Sequence, residues 1–185
     1  MPYVIVLVLI LFEPTIWASS IQLPNAAQEG DLIFRRGTEA VSAAVLAADN
    51  GEFSHVGMLL GKPHKWQVIH AVPAETKNGK DGVIIDDLDF FLDPKRSKNF
   101  AVFKVQATNE QRQKAISFIK QQQDKLFSLK DDVNGTYCTA LVWHAYLSAN
   151  LDLKVKFNYL NIPFMAGEYL LLTPLSQSPY LKRLE

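Results

Sequence analysis

At 185 residues, with 19 Lys and Arg against 19 Asp and Glu, the chain is neutral overall. It has no run of like charge that could build a basic groove, which argues against nucleic-acid binding. Its 48% hydrophobic and 21% charged residues suit an ordinary globular chain long enough for one sizeable core. The single cysteine, Cys138, excludes an intramolecular disulfide framework and a cysteine-rich metal site.

Taken in order, the chain opens on an unbroken apolar run from Val4 to Phe12, followed by Glu13-Pro14 and the small residues Ala18-Ser19-Ser20. The run is too short for a bilayer span of about 20 residues. It fits the apolar region and cleavage zone of a secretory signal peptide, although Met1-Pro2-Tyr3 supplies no Lys or Arg. An uncleaved anchor and a buried N-terminal strand are the alternatives. Residues 1–20 are therefore expected to be a signal peptide or N-terminal anchor, and residues 21–185 a single domain. The expected location is an exported one, periplasmic or cell-envelope.

Gln28-Glu29-Gly30-Asp31 reads as a turn, and Leu32 to Arg35 as a short apolar strand. Gly37-Thr38 opens a helix with Val41, Ala44, Val45 and Ala48 on one face, stopped by Asp49-Asn50-Gly51. Phe53 to Leu60 and Trp66 to Pro73 form an antiparallel hairpin about Gly61-Lys62-Pro63. Alternation groups His55, Gly57 and Leu59 on one face of its first strand, and Val68, His70 and Val72 on one face of its second. Ala74 to Lys80 is a polar loop; Gly82 to Asp86 and Phe100 to Val105 are further strands. Thr108-Asn109-Glu110-Gln111 has the capping-box pattern, with Ala115, Ile116 and Ile119 giving the next helix its core face. Asn134 or Thr136 can cap a helix that runs to about Ser148, with Leu141, Val142, Ala145 and Ala149 at helical spacing. From Leu151 on, the tail is poorly periodic and reads as a wrap over the core.

Chemistry points to Cys138. A thiol in the first turn of a helix meets the positive end of the dipole, which favours thiolate, and Leu141 and Val142 set it toward the buried face. Nucleophilic catalysis also needs an imidazole base and a group to orient it. His55 and His70, if on one face of the hairpin, would project toward the helix packed there, and the Cys138 helix is the expected tenant. Gly57 would remove a side chain where a substrate or the thiol comes close. Each residue has a plainer reading as well: Cys138 as a small core hydrophobe, His55 and His70 as structural histidines. His64 reads as solvated, His144 as structural or exposed. Asp86, Asp87, Asp89 and Asp93 lack the spacing of a calcium loop and read as a solvated strand end.

The segments Gly30 to Arg35, Ser54-His55-Val56-Gly57 and Tyr137-Cys138-Thr139-Ala140-Leu141-Val142, in that order, resemble the YiiX/YaeF-like cysteine hydrolases. These are a circularly permuted branch of the NlpC superfamily of papain-like amidases, with the histidine strand ahead of the cysteine helix; lecithin:retinol acyltransferase-like proteins share the arrangement. The resemblance implies an α+β domain with a central antiparallel sheet packed with helices. It also implies Cys138 as nucleophile, His55 as base and His70 at the third polar position, with no metal or organic cofactor required. The Tyr137 backbone, the Cys138 N–H or both would help form an oxyanion hole. Family members often have Ser-Glu after the cysteine; Thr139-Ala140 stands here and implies altered substrate contacts.

The expected activity is hydrolysis of an amide or ester through a Cys138 thioester, with cell-wall peptide amides the first candidate substrates. Lipid esters or amides come next, for which Tyr169-Leu170-Leu171-Leu172 could line a pocket, although a core role is the first reading of that stretch; membrane proximity would follow from an anchor. A catalytically silent exported binding module is the competing class, distinguished by an unreactive Cys138.

Overall fold

The computed structural model describes residues 21–74, 81–161 and 166–185. The signal-or-anchor reading of residues 1–20 and most of the polar loop before Asp81 lie outside the described residues. In chain order the elements are β1 (Leu32–Gly37), α1 (Ala40–Asp49), β2 (His55–Lys62), β3 (Lys65–Val72), β4 (Gly82–Asp87), α2 (Leu88–Phe91) and β5 (Ser97–Val105). They continue with α3 (Asn109–Gln121), β6 (Leu126–Phe127), β7 (Gly135–Thr136), α4 (Cys138–Ser148), β8 (Asn158–Leu160), β9 (Gly167–Tyr169), α5 (Leu172–Ser176) and β10 (Leu181–Arg183).

Six strands form one antiparallel sheet in the order β10-β5-β1-β2-β3-β4. Both faces of its middle are covered, which is why β2 reads as a nearly continuous apolar run. One face presents Leu32, Phe34, Val56, Met58, Ile69 and Ala71 to Ala115, Ile116 and Ile119 of α3 and to Leu141, Val142 and Ala145 of α4. The other presents Ile33, Leu59, Val68 and Val102 to Leu88, Phe91 and Leu92 around α2, with Ile21, Leu23 and Ala27 packed at its margin.

Period-two alternation then fixes where the histidines point. His55 and His70 alternate with Val56, Ile69 and Ala71, so their rings lie on the α2 face, against Phe91. The expectation that α4 packs on the histidine face is therefore corrected: α4 covers the opposite face. The apolar positions that accept it are Val56, Met58, Ile69 and Ala71, one residue out of phase with the histidines.

The α3 capping box forms as expected, Thr108 Oγ1 accepting from the Gln111 N–H and Gln111 Oε1 from the Thr108 N–H. Asp31 is fully buried, accepts from the Gln28 and Val105 N–H groups, and pairs with Arg112 of α3 at 2.9 Å. This fastens the entry of β1 to the helix layer. In α1 only Ser42 is buried, and Val41 is exposed. The tail does wrap the core through Leu170, Leu172 and Leu175, but it also supplies the β8–β9 hairpin and β10, which extends the sheet beyond β5. Leu170 and Leu172 lie in the core, the role first expected of that stretch, and not in a lipid-facing pocket.

Candidate active site

Cys138 is the first residue of α4, and Tyr137, extended at φ −123° and ψ 168°, is its N-cap. Neither Asn134 nor Thr136 caps the helix. Thr136 instead donates its hydroxyl to Asp131, and Asp132 takes the Asn134 and Gly135 N–H groups, so the preceding loop uses these polar groups itself. Gly135 and Thr136 form β7, which pairs with β6 in parallel. The residues on either side of the cysteine are both tied to Leu170. Its N–H donates to the Tyr137 hydroxyl at 3.0 Å, and its carbonyl accepts from the Thr139 hydroxyl at 2.6 Å.

The paired register of β2 with β3 begins at Met58↔Ile69 and runs toward the hairpin turn, leaving His55 to Gly57 outside it. There the backbone N–H groups of Val56, Thr139 and Cys138 itself act on the Cys138 sulfur and favour its thiolate. The sulfur thus lies near the Val56 N–H, where α4 packs against β2. Gly57 serves this junction in a different way from that expected. A Cβ there would lie 2.4 Å from Val68 Cγ1 and 3.1 Å from His70 Cβ, so the glycine lets β3 and its histidine come close, rather than the thiol.

His55 Nε2 lies 2.8 Å from His70 Nδ1, and His70 Nε2 lies 3.1 Å from Asp86 Oδ2. The rings are nearly perpendicular, 8% and 1% exposed, and both touch Phe91. Arg35, paired with His55 in the β1–β2 register, is also buried; its guanidinium stacks on Phe91 and donates to the Phe91 carbonyl and to Glu39. Burial holds the His55 imidazole well below its ordinary 6.5, and the neighbouring His70, Arg35 and Arg96 push the same way. His70 is also lowered by burial, with the Asp86 bond and charge opposing.

Burial pushes the Cys138 thiol up to about 11, against the three backbone donors that favour thiolate. Desolvation opposes the helix terminus here and favours the uncharged thiol and the uncharged imidazole.

Stability should carry the same signature. The unfolded chain takes up protons first as pH falls, because the folded imidazoles sit below 6.5. Stabilisation from keeping them neutral is complete above 6.5 and is lost as pH drops from there toward the folded values. The thermal midpoint is expected to fall between about pH 7 and about pH 5, and to fall less in His55→Gln. An equal fall in both proteins would contradict this account.

The structure thus brings His55 and His70 into contact and sets Cys138 near the Val56 N–H. His64 is exposed in the hairpin turn, and His144 pairs with Asp131 at 2.8 Å, away from this line. Two residues of the cluster went unassigned in the sequence. Asp86 was read as part of a solvated strand end, yet it holds His70. Val68 pairs with Asp86 and His70 with Ile84, so Asp86 is the diagonal neighbour of His70 on the same face. Alternation along Gly82 to Asp86 was the available signal. Arg35 stands at the end of the Gly30 to Arg35 segment, next to Arg36, with nothing local to tell the buried arginine from the exposed one.

A family model described as permuted papain-like amidase enzyme, YaeF/YiiX, C92 family, matches residues 26–163, well over half of the chain. A crystal structure of the metalloprotein yiiX from Escherichia coli O157:H7 is similar, with a TM-score of 0.70 at 20% sequence identity, over 85% of this chain and 96% of that one. No curated protein matches the sequence. The fold expected from the motif order, an α+β permuted papain-like domain, agrees with both matches.

Proposed function

Because the chain belongs to the YaeF/YiiX, C92 family of permuted papain-like amidases and is thus a cysteine hydrolase, we propose that Cys138 is the nucleophile and His55 the base. The observation that carries this reading is the position of Cys138 at the start of α4, with the backbone N–H groups of Val56 and Thr139 near enough to its sulfur to favour thiolate. His70, in contact with His55 Nε2, orients the ring.

In the first step the Cys138 S–H proton passes to His55 as sulfur attacks the substrate carbonyl carbon. The C–N bond of the amide then breaks, and the His55 imidazolium gives its proton to the leaving amine. Water follows: His55 takes one of its protons, the oxygen attacks the thioester, and the acid and the free thiol are released. The Cys138 N–H, at the start of α4, is a fixed donor that can serve the oxyanion.

A peptide amide is the substrate class we favour, with cell-wall peptides first. The apolar run from Val4 to Phe12 and the small residues after it support an exported protein. Among the described residues no helix is long and apolar enough to cross a membrane. A lipid acyl substrate has less support, since Leu170 and Leu172 are taken up by the core.

His55, His70 and Asp86 lie in a line of pairwise hydrogen bonds and do not converge on one point. Among the described residues no group of three or more His, Cys, Asp or Glu could hold a metal ion. The donor set does not fit a resident metal, and the steps above use only the chain's own groups.

The test is intact-mass analysis after brief mixing with an activated acyl ester, followed by peptide mapping. An acyl adduct on Cys138 that decays with turnover is expected. Turnover with the adduct on another residue would overturn the assignment.

A further inference from the structure

We propose that Asp86 is a positioning residue: acting through His70, it fixes which nitrogen of His55 carries the hydrogen, and so which nitrogen is the base. The inference deepens the assignment of Cys138 and His55 and rests on it. It starts from two contacts in series, 3.1 Å from Asp86 Oδ2 to His70 Nε2 and 2.8 Å from His70 Nδ1 to His55 Nε2.

A carboxylate only accepts, so His70 Nε2 must carry a hydrogen. A neutral imidazole has one such hydrogen, which leaves a lone pair on His70 Nδ1. The 2.8 Å contact then requires the hydrogen of His55 on Nε2, and the lone pair of His55 falls on Nδ1. Without Asp86 the direction of both bonds can reverse. His55 would then carry its hydrogen on Nδ1 and present no acceptor to the thiol. The pair of histidines by itself is symmetric in this respect; the carboxylate breaks the symmetry.

The surroundings favour this direction over a doubly protonated His70. Both rings are buried, and the cations nearby, Arg35 and Arg96, oppose a further positive charge. When His55 takes the Cys138 proton, it becomes an imidazolium whose Nε2–H still donates to His70 Nδ1, with no rearrangement in the line. His70 stays neutral between that charge and the Asp86 carboxylate. Asp86 is therefore set to favour the charged intermediate across one intervening ring.

The test is 15N NMR of the histidine rings in the resting protein, where a nitrogen with a lone pair is distinguished from one bearing hydrogen. The wild-type protein should show lone pairs on Nδ1 of both His55 and His70. Asp86→Asn keeps an acceptor oxygen and should keep these tautomers. Asp86→Ala should move hydrogen onto His55 Nδ1 and lower kcat by roughly ten- to a hundredfold with little change in KM. A wild-type His55 with its hydrogen on Nδ1 overturns the proposal, whatever the variants do. Unchanged tautomers in Asp86→Ala also overturn it, while leaving the Cys138 assignment intact. A missing acyl adduct on Cys138 with these tautomers observed would instead remove the nucleophile assignment.

Discussion

Cys138→Ala is expected to lower kcat/KM on an activated ester by roughly 10⁴-fold or more while leaving the fold in place. The nucleophile in this mechanism forms the covalent intermediate, so no neighbouring group can supply part of its effect. His55, with the same hydrogen bonds as before, would have only water to activate. The structural cost is small. The side chain is half-buried at the first position of α4, and its loss removes a single heavy atom, worth about 1 kcal/mol. Far-ultraviolet circular dichroism and a melting curve check the fold, and steady-state kinetics check the activity. If a folded Cys138→Ala protein still hydrolyses the ester at a comparable rate, the thioester route is wrong.

His55→Ala should be nearly as damaging near neutral pH, by about 10²- to 10⁴-fold, and it should change the shape of the pH profile. With the thiol raised to about 11, only about one molecule in 10⁴ carries a thiolate at pH 7. The wild-type protein avoids this deficit by moving the proton to His55 in the transition state. Its rate should be flat from near neutrality upward and decline only on the acid side, where His55 is protonated. That decline is displaced well below 6.5, because burial holds the imidazole neutral.

Without His55 the thiol must ionise to solvent. Both turnover and iodoacetamide labelling of Cys138 should then climb tenfold per pH unit toward about 11. His70→Ala should lose less activity than His55→Ala, since orienting the base is a smaller task than accepting the proton. Equal losses would mean that the two histidines have exchanged roles.

The parts of this site that were legible in the sequence are those carried by local pattern. Alternation over Phe53 to Leu60 and Trp66 to Pro73 assigns faces within each strand, and the shared face for His55 and His70, conditional in the sequence on how the strands pair, is found. The capping box at Thr108 and the apolar spacing of Leu141, Val142 and Ala145 likewise give helices with their core sides correct. What failed depends on register or on a choice between faces. Asp86 reaches His70 only through the β3–β4 register, and a one-residue slip would send it to the other side of the sheet. Similarly, an amphipathic pattern states that α4 covers a face but not which one. The three-residue strands β8, β9 and β10 are shorter than two full alternations and leave no periodic trace. The N-cap was misplaced because Thr136 and Asn134 have the right chemistry, yet Asp131 and Asp132 had already engaged that loop.

Leu170 uses both halves of its backbone on residues adjoining Cys138, one on the Tyr137 hydroxyl and one on the Thr139 hydroxyl. The reactive residue is thus braced by a segment made some thirty positions later. On a growing chain the imidazoles and the sheet centre can assemble first, while the thiol stays unbraced until the C-terminal segment docks. Order around the reactive residue then depends on docking of the same C-terminal segment that fills the core with Leu170, Leu172 and Leu175.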